Sequence, residues 1–240
     1  MTARGWALVT GSARRIGRAL AVAAAQAGYD VLVHHRASRN DADETARLVR
    51  AEGRLAETIA ADLALESCGA IIGRAPGPAT LLVNCASVFE DDRIDTLDPA
   101  GLDRAWAVNL RAPVLLAQAF AAALPPGAAG LIVNIADQRV WRPTPQFFSY
   151  GLSKSGLWAA TRTLAQALAP RIRVNAIGPG PTLPSVHQTP ADFSKESQNL
   201  PLGVGPRPEE IGEALRFLID ARSVTGQMIA VDGGQHLAWD

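Results

Sequence analysis

Tyr150 and Lys154 stand four positions apart, and an acid, Asp137, lies thirteen positions before the tyrosine. Positions four apart on a helix share a face, so a phenol and an ammonium would be presented together. A nearby cation favours phenolate and lowers a phenol from its ordinary pKa of about 10. On that reading Tyr150 becomes a proton donor or acceptor usable near neutrality. YxxxK is common by chance, and its weight here comes from its place, after a fourth strand-like run in a chain that opens with a glycine-bearing turn.

That turn is "TGSARRIG", residues 10–17, which follows a short apolar run and leads into an alanine-rich stretch. Gly11 permits a tight turn, Gly17 lets a helix pack close to the strand, and the helix N-terminus offers unpaired N–H groups to a pyrophosphate. In the usual dinucleotide fingerprint an acid about twenty positions on holds the ribose 2′-hydroxyl. Here the second run ends in "VHHRAS", with His35, Arg36 and Ser38 in that region. A basic end favours a 2′-phosphate, and Arg14 in the turn can join Arg36, since guanidinium matches phosphate oxygens in a bidentate way. The expected cofactor is therefore NADPH/NADP+ rather than NADH.

The elements that must position these groups are legible as alternation. Apolar runs suited to buried parallel strands recur at 6–10, 30–35, 80–86, 130–136, 172–179 and 227–233. Helical spacing or composition falls at 15–28, 40–52, 102–124, 153–169 and 208–221. Strand and helix in alternation predict right-handed crossovers and an α/β fold, a single-domain Rossmann-type doubly wound parallel sheet flanked by helices over residues 1–240. Residues 178–208 gather Gly, Pro and Ser without periodicity. So long a loop at the carboxyl ends of strands is expected to be a substrate lid, about 180–206.

Composition narrows the partners. The 240 residues carry 23 basic and 23 acidic side chains, so no global field recruits nucleic acid or an acidic membrane, and a small-molecule ligand is expected. Cys68 and Cys85 have no Cys or His at metal-ligand spacing, which predicts buried thiols, no disulfide framework and no metal. No run of 18 apolar residues occurs, and the first residues lack the apolar stretch of a signal peptide, so a cytoplasmic protein is expected.

Taken together, "TGSARRIG", Asp62-Leu63, "NCAS" at 84–87, "VNL" at 108–110, "YGLSK" at 150–154, "RVNAIGPG" at 173–180 and "VDGG" at 231–234 resemble the short-chain dehydrogenase/reductase family over essentially the whole chain. The resemblance implies that Tyr150 is the acid/base, that Lys154 binds the nicotinamide ribose and tunes the tyrosine, and that Asn109 supports a proton-relay water. It implies further that Asp62 and Leu63 lie by the adenine, that Ile16 belongs to the cofactor turn, and that Asn84 and Ala86 line the cofactor. Pro179 and Gly180 would contact the nicotinamide amide. In family members the helices corresponding to 102–124 and 153–169 pack between subunits, which implies a homotetramer.

Two departures carry the functional expectation. The family commonly has glycine where this chain has Arg15, and serine where it has Asp137. Serine donates to a carbonyl oxygen that gathers negative charge as hydride arrives, whereas an ionised aspartate repels it. Hydride addition to a C=N bond instead leaves a nitrogen that needs a proton, and a carboxylate touching the tyrosine can hold or relay one. This combination resembles the pteridine reductase and dihydromonapterin reductase branch. Arg15 matches its turn arginine, His35 and Arg36 its 2′-phosphate pair, and Ser87 and Phe89 its substrate-side serine and aromatic; a flat pterin can lie between Phe89 and the nicotinamide. The expected activity is NADPH-dependent reduction of a dihydropterin such as dihydromonapterin or dihydrobiopterin, in folate or tetrahydropterin metabolism. The alternatives are a carbonyl reductase, for example of 3-oxoacyl thioesters, and a dinucleotide-binding sensor without catalysis. Intact Tyr150, Lys154 and Asn109 argue against the sensor.

Overall fold

Residues buried on both faces of a sheet are selected for apolarity at every position, and that selection explains why the strands read as continuous runs. In the computed structural model, which describes residues 4–238, β1 (Trp6–Val9), β2 (Asp30–His35) and β5 (Gly130–Ile135) are buried throughout. β4 (Ala79–Asn84) and β6 (Ile172–Pro179) are nearly so. With β3 (Ala56–Ala60) and β7 (Met228–Val231) they form a seven-stranded sheet in the order β3-β2-β1-β4-β5-β6-β7, every pair parallel. The order reverses between β1 and β4, so a crevice opens there at the carboxyl ends of the strands. This is the single-domain doubly wound architecture expected.

One face of the sheet packs Ala7, Val9, Val31, Val33 and Val83 against α1 (Arg15–Gln26), α2 (Arg39–Ala51) and α7 (Pro208–Asp220). Alanines permit a close approach here: a Cβ on Gly212 of α7 would stand 3.0 Å from that of Ala23 on α1. The other face buries Leu8, Leu32, Leu82 and Ile132 beneath Leu116 and Phe120 of α4 (Ala112–Ala123). Phe120 is fully buried, and its truncation to alanine would cost about 3–5 kcal/mol.

Four elements differ from the sequence expectation. β3 was not anticipated: it is an edge strand whose residues from Glu57 onward are partly exposed, so "AETIA" carries no continuous apolar run. The helix expected at 102–124 is three pieces, α3 (Pro99–Trp106), a π-helical turn at Ala107–Arg111, and α4. The helix expected from 153 begins earlier, as α5 (Phe148–Leu168), so that Tyr150 and Lys154 both lie on it. The aperiodic segment 178–208 contains α6 (Pro190–Gln198). Thr189 and Asp192 cap its N-terminus reciprocally, Asp192 N donating to Thr189 Oγ1 (3.2 Å) and Thr189 N to Asp192 Oδ2 (3.2 Å).

Candidate active site

The first βα turn sits at the crevice, and its glycines are there for space. A Cβ on Gly11 would lie 2.7 Å from Ala86 Cα, and one on Gly17 2.2 Å from the carbonyl oxygen of Gly11. Gly11 also has φ +64°. Its N–H donates to Nδ1 of His34 (3.0 Å), while Nε2 of the same ring reaches the carbonyl of Ala61 (3.1 Å). His34 thus ties the turn on β1 to the end of β3, and burial pushes its pKa from 6.5 down to about 4, keeping the ring neutral. Thr10 Oγ1 accepts from the N–H groups of Cys85 (2.9 Å) and Ala86 (3.1 Å), which holds the loop after β4 against the same turn.

A cleft of about 920 Å³ runs from this turn to the helix that bears the tyrosine. Gly11, Arg14, Arg15, Ile16, His35, Arg36, Asp62, Leu63, Ala86, Pro179 and Gly180 line it, as do Ser87, Phe89, Asp137, Tyr150 and Lys154. Asn84 and Asn109 are not among the residues that line it. Asn84 Nδ2 donates to Asn134 Oδ1 (2.8 Å), the start of a buried polar chain that continues to Thr161 Oγ1 (2.9 Å). Asn109, turned inward by the π-helical turn, accepts from the N–H of Val88 (2.8 Å) and donates to the Val88 carbonyl (2.9 Å) and to Ser153 Oγ (3.0 Å). Among the described residues its bonds secure a loop. Cys85 also lines the cleft and is half-buried, where a buried thiol was expected; desolvation pushes it up to about 11.

The cleft fits a dinucleotide phosphate on observations independent of the motif. α1 starts at Arg15 without a side-chain cap, so its N–H groups remain for an anion. Buried Nδ1 of His35 has no partner among the described residues, although His35 lines the cleft beside Arg36. Arg15 adopts φ +56°, the left-handed conformation that explains glycine as the common alternative. Its Nη2 donates to the carbonyls of Leu183 (3.3 Å) and Pro184 (3.0 Å), so the turn holds the start of the segment after β6.

At the opposite end, Tyr150 Oη donates to Asp137 Oδ2 (2.7 Å). Lys154 Nζ donates to the carbonyl of Ile135 (2.7 Å) and stands 5.6 Å from the centre of the Tyr150 ring. The sequence argument expected the lysine to lower the phenol. Here burial, then the charge of Asp137 and the hydrogen bond to it, hold Tyr150 well above 10, with Arg139 opposing. Burial pushes Lys154 from 10.5 down to about 8, so the cation is itself weakened. Tyr150 therefore keeps its proton in this state.

Residues 11–236 match the family profile described as enoyl-(acyl carrier protein) reductase. The chain belongs to the short-chain dehydrogenase/reductase family. Among solved members, FolM alternative dihydrofolate reductase 1 from Brucella canis, complexed with NADP, is 50% identical with a TM-score of 0.96, covering 100% of this chain and 97% of that one. The Brucella suis protein of the same name, also with NADP, is 51% identical with a TM-score of 0.96, over 100% and 98%. An angucycline C-6 ketoreductase with bound NADP is 30% identical with a TM-score of 0.89, over 99% and 100%. This short-chain oxidoreductase thus shares its frame with relatives bearing the names of two different reductions.

Several site residues escaped the sequence reading. Phe147, at φ +53°, stacks on Phe89 with ring centres 4.3 Å apart, and Phe89 meets Tyr150 edge-on at 4.7 Å. Arg139 bonds Asp137 through its backbone N–H (2.8 Å). Asp92 caps α5 from outside: its carboxylate accepts from Ser149 N (3.1 Å) and from Ser149 Oγ, and its carbonyl from Phe148 N (3.2 Å). On α6, Glu196 accepts from Gln188 (2.6 Å) and Gln235 (3.1 Å), joining this helix to the segment after β7. The T-P-A-D signature at 189–192 announces α6, whereas the other contacts depend on how loops meet.

Proposed function

We propose that the protein is an NADPH-dependent reductase of a dihydropterin, a class that includes dihydromonapterin, dihydrobiopterin and dihydrofolate, acting on a ring C=N bond. The observation that carries this reading is the 2.7 Å hydrogen bond from Tyr150 to Asp137. The names of the Brucella relatives support it, and the guanidinium groups of Arg14 and Arg36 in the cleft support the choice of NADPH.

Bound NADPH supplies a hydride from C4 of its nicotinamide. Tyr150 holds the proton for the ring nitrogen, and Asp137 orients that phenol. A C=N nitrogen is basic enough to take the proton before or with hydride arrival, and the cationic C=NH+ group is then favoured by the neighbouring carboxylate. Hydride on carbon and proton on nitrogen complete the reduced C–N bond. Lys154, fixed on Ile135, presents its ammonium beside the tyrosine for the ribose, and Phe89 offers an aromatic wall to a flat ring.

A second reading, reduction of a ketone, is favoured by the ketoreductase relative and by a tyrosine that remains protonated. The experiment that decides is oxidation of NADPH and NADH with dihydromonapterin, dihydrobiopterin, dihydrofolate and an acetoacetyl thioester side by side. Turnover of dihydropterins with NADPH is expected. Turnover of the thioester alone rejects the pterin reading, and a preference for NADH rejects the cofactor assignment.

A further inference from the structure

Arg139 follows β5 on a short 3-10 turn, Gln138–Val140, which faces the cleft. Its contacts converge on one carboxylate. The backbone N–H donates to Asp137 Oδ1 at 2.8 Å, and Nη1 stands 3.5 Å from Asp137 Oδ2, the oxygen that accepts the Tyr150 hydrogen bond. The same guanidinium lies 5.4 Å from the ring centre of Phe147 and 5.9 Å from that of Phe89. It therefore bridges the aromatic wall and the proton-holding pair.

The arrangement is not a saturated clamp. A guanidinium has five N–H donors, and among the described residues only one is directed at an acceptor, at the long end of the range. The side chain is 23% exposed toward the cleft, so its charge is incompletely screened by water. Its effect is exerted on a buried carboxylate and a buried phenol, both 8% exposed. The cation stabilises whichever member of the pair is anionic and opposes the rise of Tyr150.

We propose that Arg139 is a positioning residue of the reaction, one that fixes and electrostatically offsets the Asp137 carboxylate so that Tyr150 can release its proton beside it. Release of the phenolic proton would otherwise place two anions across 2.7 Å in a desolvated site. The third charge keeps that moment accessible until the pair is protonated again from solvent. The cation–π contacts hold the guanidinium over Phe147 and Phe89, so the element offsetting the charge is placed by the same rings that wall the substrate. This inference rests on the proton-donor reading of Tyr150 given above and extends it to a residue that no motif marks.

The test compares wild type, Arg139→Lys and Arg139→Ala, each with NADPH and a saturating series of dihydropterin. Arg139→Ala should lose at least about tenfold in kcat while KM changes by less than about twofold, because the residue acts through Asp137 and not on substrate. Arg139→Lys should keep most of kcat. Millimolar guanidinium chloride added to Arg139→Ala should restore part of the lost kcat, a response that a packing defect does not give. A rise in KM at constant kcat would overturn the proposal in favour of direct substrate contact. A loss of kcat with lowered thermal stability and no guanidinium response would overturn it in favour of a packing role. If wild type reduces only the thioester, the substrate reading fails by itself, and the same comparison made with that ketone decides the role of Arg139.

Discussion

The phenolic oxygen of Tyr150 and Oδ2 of Asp137 share a hydrogen bond of 2.7 Å, with both side chains buried at the end of the cleft. Where a serine would offer a donor to a carbonyl oxygen, this site offers an acceptor. The pair holds a proton and a negative charge, which suits a substrate atom that becomes positive before it is reduced.

Replacing Asp137 by serine should therefore separate the two chemistries. Dihydropterin reduction is expected to fall about tenfold to a hundredfold in kcat, while any ketone reduction stays level or rises. Parallel kcat measurements on both substrates check this. An equal fall in both would assign the carboxylate a structural role.

Stability should depend on pH through His34. Its folded pKa of about 4 lies below the ordinary 6.5, so between those values the unfolded chain binds a proton that the folded protein does not. Stability is then fully retained above about pH 6.5 and declines as pH falls toward 4, by up to about 3 kcal/mol from this group. Urea unfolding at intervals from pH 7 to 4.5 measures the decline. His34→Gln should flatten it relative to wild type, at the cost of about 1 kcal/mol at neutral pH from the altered bond to Gly11.

Arg15 combines strain with grip. Arg15→Gly removes a left-handed backbone conformation from a residue that bears a Cβ and should raise stability by about 1 kcal/mol, or roughly 2–4 °C in Tm. It also removes the bonds to Leu183 and Pro184, so KM should rise even as the protein becomes more stable. A gain in Tm without any change in KM would show that substrate binding does not depend on the grip of this arginine on residues 183 and 184.

The sequence disclosed what periodicity and burial dictate. Five strands announced themselves because both faces are covered, and edge strand β7 did so because Met228–Val231 is apolar throughout; edge strand β3 did not, because Glu57 and Thr58 interrupt its apolar residues. Tyr150, Lys154 and Asp137 were legible from their types and order. Their electrostatics were not: the lysine alone suggested a lowered phenol, and only the burial and the carboxylate contact reverse that sign. His34 falls within a readable strand, yet its bond to Gly11 follows from the pairing of β1 with β2, which no local pattern states. Phe147 and Arg139 acquire their places from loops converging after β4 and β5, where spacing along the chain carries no information about proximity.

The loop after β4 is fastened at two points, by Asn109 to Val88 and by Asp92 to the first turn of α5. Ser87 and Phe89 lie in or beside the first fastening, and Tyr150 lies one residue beyond Ser149, the far end of the second. Lengthening or shortening that loop would shift Phe89 and Tyr150 against each other. New substrate preferences on this scaffold are therefore open to exchange of side chains and closed to insertion or deletion between residues 88 and 92.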